Sequence, residues 1–248
     1  MKVLVTGGSN GIGKATSQRL IEKDHEVTVF DKEEPDYEVD FYQGDVRDEN
    51  RVKEVVESVE FEVLVNCAGF YELGSIEDME RETIDKIFNT NVHGYLNFIR
   101  HSMPMLRQKN GRIVNISSVA GRVSMPFYGA YCGSKHAVES ISHSLRRESE
   151  VEVVLVEPGV IKTGFNERAR KALEKYLPDS HYANEYEEIL DNEVLESIGA
   201  EKVGEKVARA VTTGRPKRRY QVPLRAKFIT WISFLPQRVK DRIFEKVG

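Results

Sequence analysis

The chain has 248 residues, 40% of them apolar and 31% charged, with a net charge of −4. Such a length and balance predict a single α/β domain over 1–248 with a full core, and no linker or low-complexity stretch divides it. The slight acidity gives no basic face for nucleic acid. Two cysteines, Cys67 and Cys132, are too few for a disulfide framework, and the six histidines have no metal-ligand spacing, so no metal site is expected.

The chain enters a strand at Lys2, and no apolar run is long enough to span a bilayer, so a cytoplasmic location is expected. Lys2–Thr6 is a β-branched run read as a buried first strand. It breaks into Gly7-Gly8-Ser9-Asn10-Gly11-Ile12-Gly13, after which Lys14–Lys23 reads as a helix. A glycine-rich turn between strand and helix lets backbone N–H groups approach a pyrophosphate. The spacing, G-x-x-x-G-x-G, differs from the usual G-x-G-x-x-G fingerprint. Glu26–Phe30 is the second strand and ends in Asp31, where a carboxylate can accept hydrogen bonds from an adenosine ribose. It would repel a 2′-phosphate by about 4 kcal/mol per unit charge, so NAD is expected over NADP, with Lys32 as the counter-argument.

From Asp31 to the third strand, about Glu38–Gln43, there is no room for a crossover helix, so that edge must be abbreviated. Gly44-Asp45-Val46 follows, then a helix over Glu49–Ser58. Glu62–Asn66 is a further apolar strand ending in Asn66-Cys67-Ala68-Gly69, whose small residues let a planar ring lie against the backbone. Glu80–Met103 is read as one amphipathic helix ended by Pro104, with Asn91 in its interior. Gly111–Ser117 is the fifth strand, with Ser118 at its end. Tyr128–Glu150 is a helix and Val151–Val156 the sixth strand, which stops at Glu157-Pro158-Gly159 and continues as Val160-Ile161-Lys162-Thr163.

Tyr131 and Lys135, four residues apart, share one helix face, and no other tyrosine here is followed by lysine at that spacing. Lowering a phenol from a pKa near 10 to near 7 or 8 takes about 3–4 kcal/mol. An ammonium about 4 Å away supplies about 4 kcal/mol at an effective dielectric near 20. A lysine one turn along is sufficient to make this tyrosine a proton donor and acceptor at neutral pH.

Beyond the sixth strand, Phe165–Gly199 is polar, helical in pattern and without a strand, placed where a substrate lid belongs. Glu201–Gly214 reads as a helix and Arg219–Val222 as a last short strand. Leu224–Val247 carries Leu224, Phe228, Trp231, Ile232, Leu235, Val239, Ile243 and Phe244 among Arg225, Lys227, Arg238, Lys240 and Arg242. Three readings stand for it: a helix packed on its own domain or a partner subunit, a hydrophobic wall for substrate, or an interfacial membrane helix.

Together these residues resemble the short-chain dehydrogenase/reductase family over essentially the whole chain. The resemblance rests on Thr6-Gly7-Gly8-Ser9-Asn10-Gly11-Ile12-Gly13, Asn66-Cys67-Ala68-Gly69, Asn91, Ser118, Tyr131-x-x-x-Lys135 and Pro158-Gly159, in family order. Cys67 stands where the family usually has a second asparagine, and the connection after Asp31 is short. The resemblance implies a Rossmann-type doubly wound parallel sheet with helices on both faces. It also implies hydride transfer between an alcohol and NAD or NADP, with Tyr131 as acid or base and Ser118 on the substrate oxygen. Lys135 would tune Tyr131 and bind the nicotinamide ribose, and Asn91 would position a water that links Lys135 to solvent.

By the same pattern Gly7, Ser9, Asn10, Gly11, Ile12 and Gly13 would hold the pyrophosphate side, Asp31 the ribose, and Asp45 and Val46 the adenine. Asn66, Ala68 and Gly69 would lie near the nicotinamide-side ribose, and Pro158, Gly159, Val160, Ile161 and Thr163 beside the nicotinamide. A homodimer or homotetramer is implied. The tail from Arg215 resembles members related to steroid and retinol dehydrogenases, which points to a hydrophobic small-molecule substrate lined by Phe70, Tyr71, Phe127, Tyr128 and the lid from Phe165. A sugar or polyol or 3-hydroxyacyl dehydrogenase of the same family, a sugar-nucleotide epimerase, a catalytically silent cofactor binder and a peripheral membrane protein are the rival readings.

Overall fold

A computed structural model describes residues 1–162, 164–191, 198–223 and 232–244. Its frame is a parallel sheet of seven strands in the spatial order β3-β2-β1-β4-β5-β6-β9. These are β1 (Lys2–Thr6), β2 (Glu26–Asp31), β3 (Asp40–Gln43), β4 (Val63–Asn66), β5 (Arg112–Ile116), β6 (Glu152–Pro158) and β9 (Arg219–Val222). A two-stranded ribbon, β7 (Ile161–Lys162) with β8 (Ile198–Gly199), sits apart from it.

The central strands are apolar at consecutive positions because both faces are covered. In β1, Val3 and Val5 face one layer while Leu4 faces the other. The first layer holds α1 (Gly11–Ile21) and α8 (Ala200–Thr212), where Val203, Val207 and Val211 recur at helical spacing and are fully buried. Each such valine contributes roughly 1.5–3 kcal/mol. The second layer holds α2 (Glu49–Ser58), α4 (Gly94–Gln108) and α5 (Gly129–Glu148), packed on Leu4, Phe30, Leu64, Ile113 and Leu155. Strand order reverses between β1 and β4, so the crevice for a ligand opens at their carboxyl ends.

The short connection after β2 is as expected: it carries no helix, and β2 pairs directly with β3 in parallel. Tyr37 in this connection fastens it by donating its hydroxyl to the Gly8 carbonyl at 2.7 Å.

Three boundaries differ from the sequence expectation. Helix α1 begins at Gly11 rather than Lys14, because its first hydrogen bond already runs from Lys14 N–H to the Asn10 carbonyl at 3.1 Å. The single helix expected over Glu80–Met103 is instead α3 (Arg81–Phe88), a π-turn (Asn89–His93) and α4, which runs past Pro104 to Gln108. Pro104 lies on the exposed side of α4, where a helix can bend outward around a missing hydrogen bond. The segment expected to lack strands contains α6 (Gly164–Lys171), a 3₁₀ turn (Ala172–Lys175), α7 (Ala183–Asp191) and also β8. Ile198 pairs there with Ile161 across the ribbon, a contact too short to leave a period-2 pattern. Of the terminal apolar-basic segment, Ile232 to Phe244 is described, with α9 over Gln237–Phe244. Leu224 to Trp231, Thr163 and Val247 lie outside the described residues, as does the side chain of Phe165.

Candidate active site

The glycine turn after β1 is shaped by close backbone approach. Gly7 and Gly11 have φ of +68° and +53°, a region that L side chains rarely adopt. A Cβ on Gly13 would stand 1.9 Å from the Gly7 carbonyl oxygen, and one on Gly7 would stand 2.7 Å from Ala68 backbone atoms. Asn10 precedes α1 without capping it through its side chain, so the first N–H groups of the helix face the crevice uncapped. Helix N-termini of this kind suit a pyrophosphate.

Across the turn, the Thr6 hydroxyl accepts from Cys67 N–H at 3.1 Å and Ala68 N–H at 3.2 Å. The Asn66-Cys67-Ala68-Gly69 loop is thereby held against Gly7. Thr6 heads the run that carries the family resemblance but is not among the expected site residues; its hydroxyl supplies this bracing.

Asp31 stands at the end of β2 and accepts from Ser9 N–H at 2.9 Å and Lys32 N–H at 2.7 Å. Ser9 is turned away from the crevice, its hydroxyl donating to the Glu33 carbonyl at 2.5 Å. Lys32, which could have neutralised Asp31, instead pairs with Asp45 at 3.4 Å. Burial alone would raise the Asp45 carboxyl, but the hydrogen bonds and charge of Arg47, with Nη2 at 2.6 Å, hold it down at about 2.

The crevice is a single cleft of about 1100 Å³ running from the glycine turn to Tyr131. Of the expected residues, Gly7, Asn10, Gly11, Ile12, Gly13, Asp31, Asp45, Val46, Ala68, Gly69, Ser118, Tyr131, Lys135, Pro158, Gly159, Val160 and Ile161 line it. Ser9, Asn66 and Asn91 stand behind that wall. Asn66 is fully buried and donates to Asn115 Oδ1 at 2.9 Å, tying β4 to β5. The dimensions and the cradle fit a dinucleotide: uncapped helix N–H groups, a carboxylate at the end of β2 and glycines that admit a ligand's close approach.

At the far end of the cleft the chemistry gathers on α5. Ser118 lies within hydrogen-bond reach of the Tyr131 hydroxyl. Lys135 is buried; its Nζ donates to the Ile116 carbonyl at 2.9 Å and lies 5.8 Å from the Tyr131 ring centre. The same carbonyl accepts from the Tyr95 hydroxyl at 3.0 Å, a partner the sequence did not mark. Burial pushes Tyr131 up to about 12, opposed by its hydrogen bond with Ser118. Burial likewise lowers Lys135 to about 8, opposed by Cys67 and Glu139. The expectation of a phenol already lowered by its lysine is therefore corrected. Burial disfavours the charged phenolate, and this outweighs the help from Ser118.

Asn91 sits in the π-turn, a feature that often marks functional positions. Its side chain is fully engaged: it accepts from Phe70 N–H at 2.8 Å and donates to the Phe70 carbonyl at 2.9 Å and the Ser134 hydroxyl at 3.0 Å. It therefore joins Ser134 of α5 to the loop after β4.

Aromatic side chains form the remaining wall. Tyr71 packs on Tyr131 with ring centres 4.6 Å apart and on Tyr128 at 6.4 Å. Phe70, Tyr71 and Tyr128 line the cleft, together with Met125, Lys86 and the lid residues Arg168 and Arg170, which sequence reasoning did not single out. Phe127 does not line it. Held at a φ of +63°, it turns under the lid, edge-on to Tyr182 and Tyr186 at 5.5 Å and 5.3 Å.

The short chain dehydrogenase family profile matches residues 1–174. A probable short-chain type dehydrogenase/reductase, VdlC of Helicobacter pylori, is 31% identical over 98% of this chain and 96% of its own length. An NADPH-dependent 3-dehydrocapnine reductase of Ornithobacterium rhinotracheale is 34% identical over 98% and 95%. A 3-ketodihydrosphingosine reductase of Bacteroides thetaiotaomicron is 31% identical over 98% and 97%. Among solved structures, a Burkholderia cenocepacia short chain dehydrogenase in complex with NADP superposes with a TM-score of 0.80 at 20% identity, covering 98% of this chain and 96% of that one. Sequence, sheet order and cleft agree: this chain belongs to the short-chain dehydrogenase/reductase family and is a nicotinamide-dependent oxidoreductase.

Proposed function

We propose that the protein interconverts a hydrophobic alcohol and its ketone or aldehyde, with Tyr131 moving the proton and NAD preferred over NADP. The observation that carries this reading is the grouping of Tyr131, Ser118 and Lys135 at one end of a cleft whose other end is the glycine turn. The cofactor, when bound, supplies or accepts the hydride. The chain's own residues do the rest. Ser118 holds the substrate oxygen beside the Tyr131 hydroxyl, and in reduction Tyr131 donates its proton to that oxygen. Lys135 stabilises the phenolate that results, and Asn91 keeps α5 in register with the loop that follows β4.

The NAD preference rests on Asp31, flanked by Glu33 and with Lys32 drawn to Asp45. A 2′-phosphate beside that carboxylate would cost about 4 kcal/mol per unit charge. The hydrophobic substrate rests on Phe70, Tyr71 and Tyr128 along the cleft. It agrees with two relatives named as reductases of 3-dehydrocapnine and 3-ketodihydrosphingosine. A sugar substrate is the second reading, favoured by the likeness to the aldohexose dehydrogenase of Thermoplasma acidophilum, 26% identical with a TM-score of 0.74. Assembly into a homodimer or homotetramer through the helices bearing Asn91 and Tyr131 belongs to the same proposal.

The test is a screen of cofactor oxidation and reduction with NAD(H) and NADP(H). Its substrates are long-chain 3-ketones, steroid ketones, retinol, aliphatic alcohols and aldohexoses. Turnover with apolar ketones and NADH is expected. Turnover confined to aldohexoses would overturn the substrate reading, and a clear preference for NADPH would overturn the cofactor reading.

A further inference from the structure

The charge of this chain is unevenly placed. After Pro223 there are six Lys and Arg residues against two acids, a surplus of +4 in a chain whose net charge is −4. Part of that surplus is carried by α9, an eight-residue helix reading Gln-Arg-Val-Lys-Asp-Arg-Ile-Phe. Gln237, Arg238, Val239, Asp241 and Arg242 are exposed, and none of its described side chains is fully buried. Its acid, Asp241, is occupied by Gln237, whose Nε2 donates to it at 2.7 Å. Among the described residues no acidic group pairs with Arg238, Lys240 or Arg242.

Large apolar side chains accompany these cations. Phe234, just before the helix, is 74% exposed, the highest value among the exposed large apolar residues, and Val239 is 42% exposed. An aromatic ring left in water gains the free energy of burial only when another surface covers it. The placement relative to the active site is also specific. The Arg122 guanidinium lies 5.8 Å from the Phe234 ring centre, and Arg122 follows Ser118 by one short 3₁₀ turn.

We propose that the surface formed by Phe234 and α9 docks on an anionic lipid membrane. Unpaired cations beside exposed aromatic and aliphatic groups complement a layer of anionic headgroups over acyl chains. Among the described residues neither pairing acids nor a closed apolar patch accompanies Arg238, Lys240 and Arg242, so a fluid anionic surface suits them better than a protein partner. No described helix is long and apolar enough to cross a membrane, so the contact is peripheral. Docked this way, the chain would set the Ser118 side of its cleft near the bilayer.

The test is flotation of the full-length protein with two kinds of vesicle: phosphatidylcholine alone, or the same lipid with about 30% phosphatidylglycerol. The protein should float with the anionic vesicles, fail to float with the neutral ones, and be released by high salt. Arg238→Glu with Arg242→Glu, and separately Phe234→Asp, should each weaken flotation at least tenfold. Both should retain turnover of a water-soluble substrate and the wild-type circular dichroism. No flotation by the wild-type protein, equal flotation with neutral vesicles, or folded variants that float like wild type would each overturn the proposal. So would light scattering in which Phe234→Asp splits an oligomer while flotation is unchanged, because the surface would then belong to a second copy.

Discussion

The two ends of the cleft are built by different means. The glycine-turn end is made of backbone: Gly7 and Gly13 stand where a methyl group would strike Ala68 or the Gly7 carbonyl, and Asp31 holds the turn by accepting from Ser9 N–H. The Tyr131 end is made of side chains. Phe70, Tyr71 and Tyr128 come from two separate stretches, and Asn91 locks one stretch to the other. Backbone geometry tolerates almost no substitution and suits a ligand shared by a whole family. A wall of side chains can be exchanged one residue at a time and suits a substrate that changes between relatives.

Gly13→Ala tests this contrast most severely. Its methyl group would overlap the Gly7 carbonyl oxygen, so cofactor binding should fall below detection by titration. Stability should fall by about 2–3 kcal/mol, a loss of roughly 5–10 °C in Tm. A variant that binds NADH normally would show that the turn can open at little cost.

Lys135→Met comes next and should lower both turnover and cofactor affinity by about 10²-fold. Its pH behaviour has a definite sign. Folding lowers the Lys135 pKa from its ordinary 10.5 to about 8, so the folded protein binds this proton less readily than the unfolded chain. The penalty for holding the charge is fully present below about pH 8 and fades as pH rises toward 10.5. The methionine variant should therefore gain most in Tm, relative to wild type, near neutral pH, and that gain should shrink above pH 8. Wild-type turnover should decline above the same pH as the ammonium is lost, a limb the variant should lack.

A smaller change is expected of Asp31→Ala, which should narrow the preference for NAD over NADP by about tenfold, because solvent in the open cleft screens most of the about 4 kcal/mol that a close pair would feel. An unchanged ratio, measured as kcat/KM for each cofactor, would remove Asp31 from the choice. Smallest of all, Phe70→Ala should raise KM for an apolar substrate by about fivefold and leave NADH binding as it was. Equal losses in both would mean that the two ends are not separable.

How legible each end was in the sequence follows from the same difference. Backbone constraints act on consecutive residues and leave a local signature, so the run Gly7 to Gly13, the short link after Asp31 and the pair Tyr131 and Lys135 could be read directly. The sheet followed from apolar runs such as Val63–Asn66, buried on both faces. Contacts between distant residues leave no such pattern. Nothing near Tyr95 announces that its hydroxyl shares the Ile116 carbonyl with Lys135, and nothing around Arg170 places it in the cleft. The π-turn at Asn91 escaped because one extra residue per turn hardly disturbs a helical periodicity. Burial around Tyr131 leaves no mark in the sequence either, so the spacing to Lys135 alone predicts a lowered pKa where burial raises it.

The central claim is that the Tyr131 hydroxyl is the proton donor. It is tested most directly by steady-state turnover of Tyr131→Phe, with NADH binding followed by fluorescence on the same preparation. Loss of turnover by about 10³-fold with NADH affinity unchanged is the expected result. Retained turnover with the phenylalanine in place would contradict it.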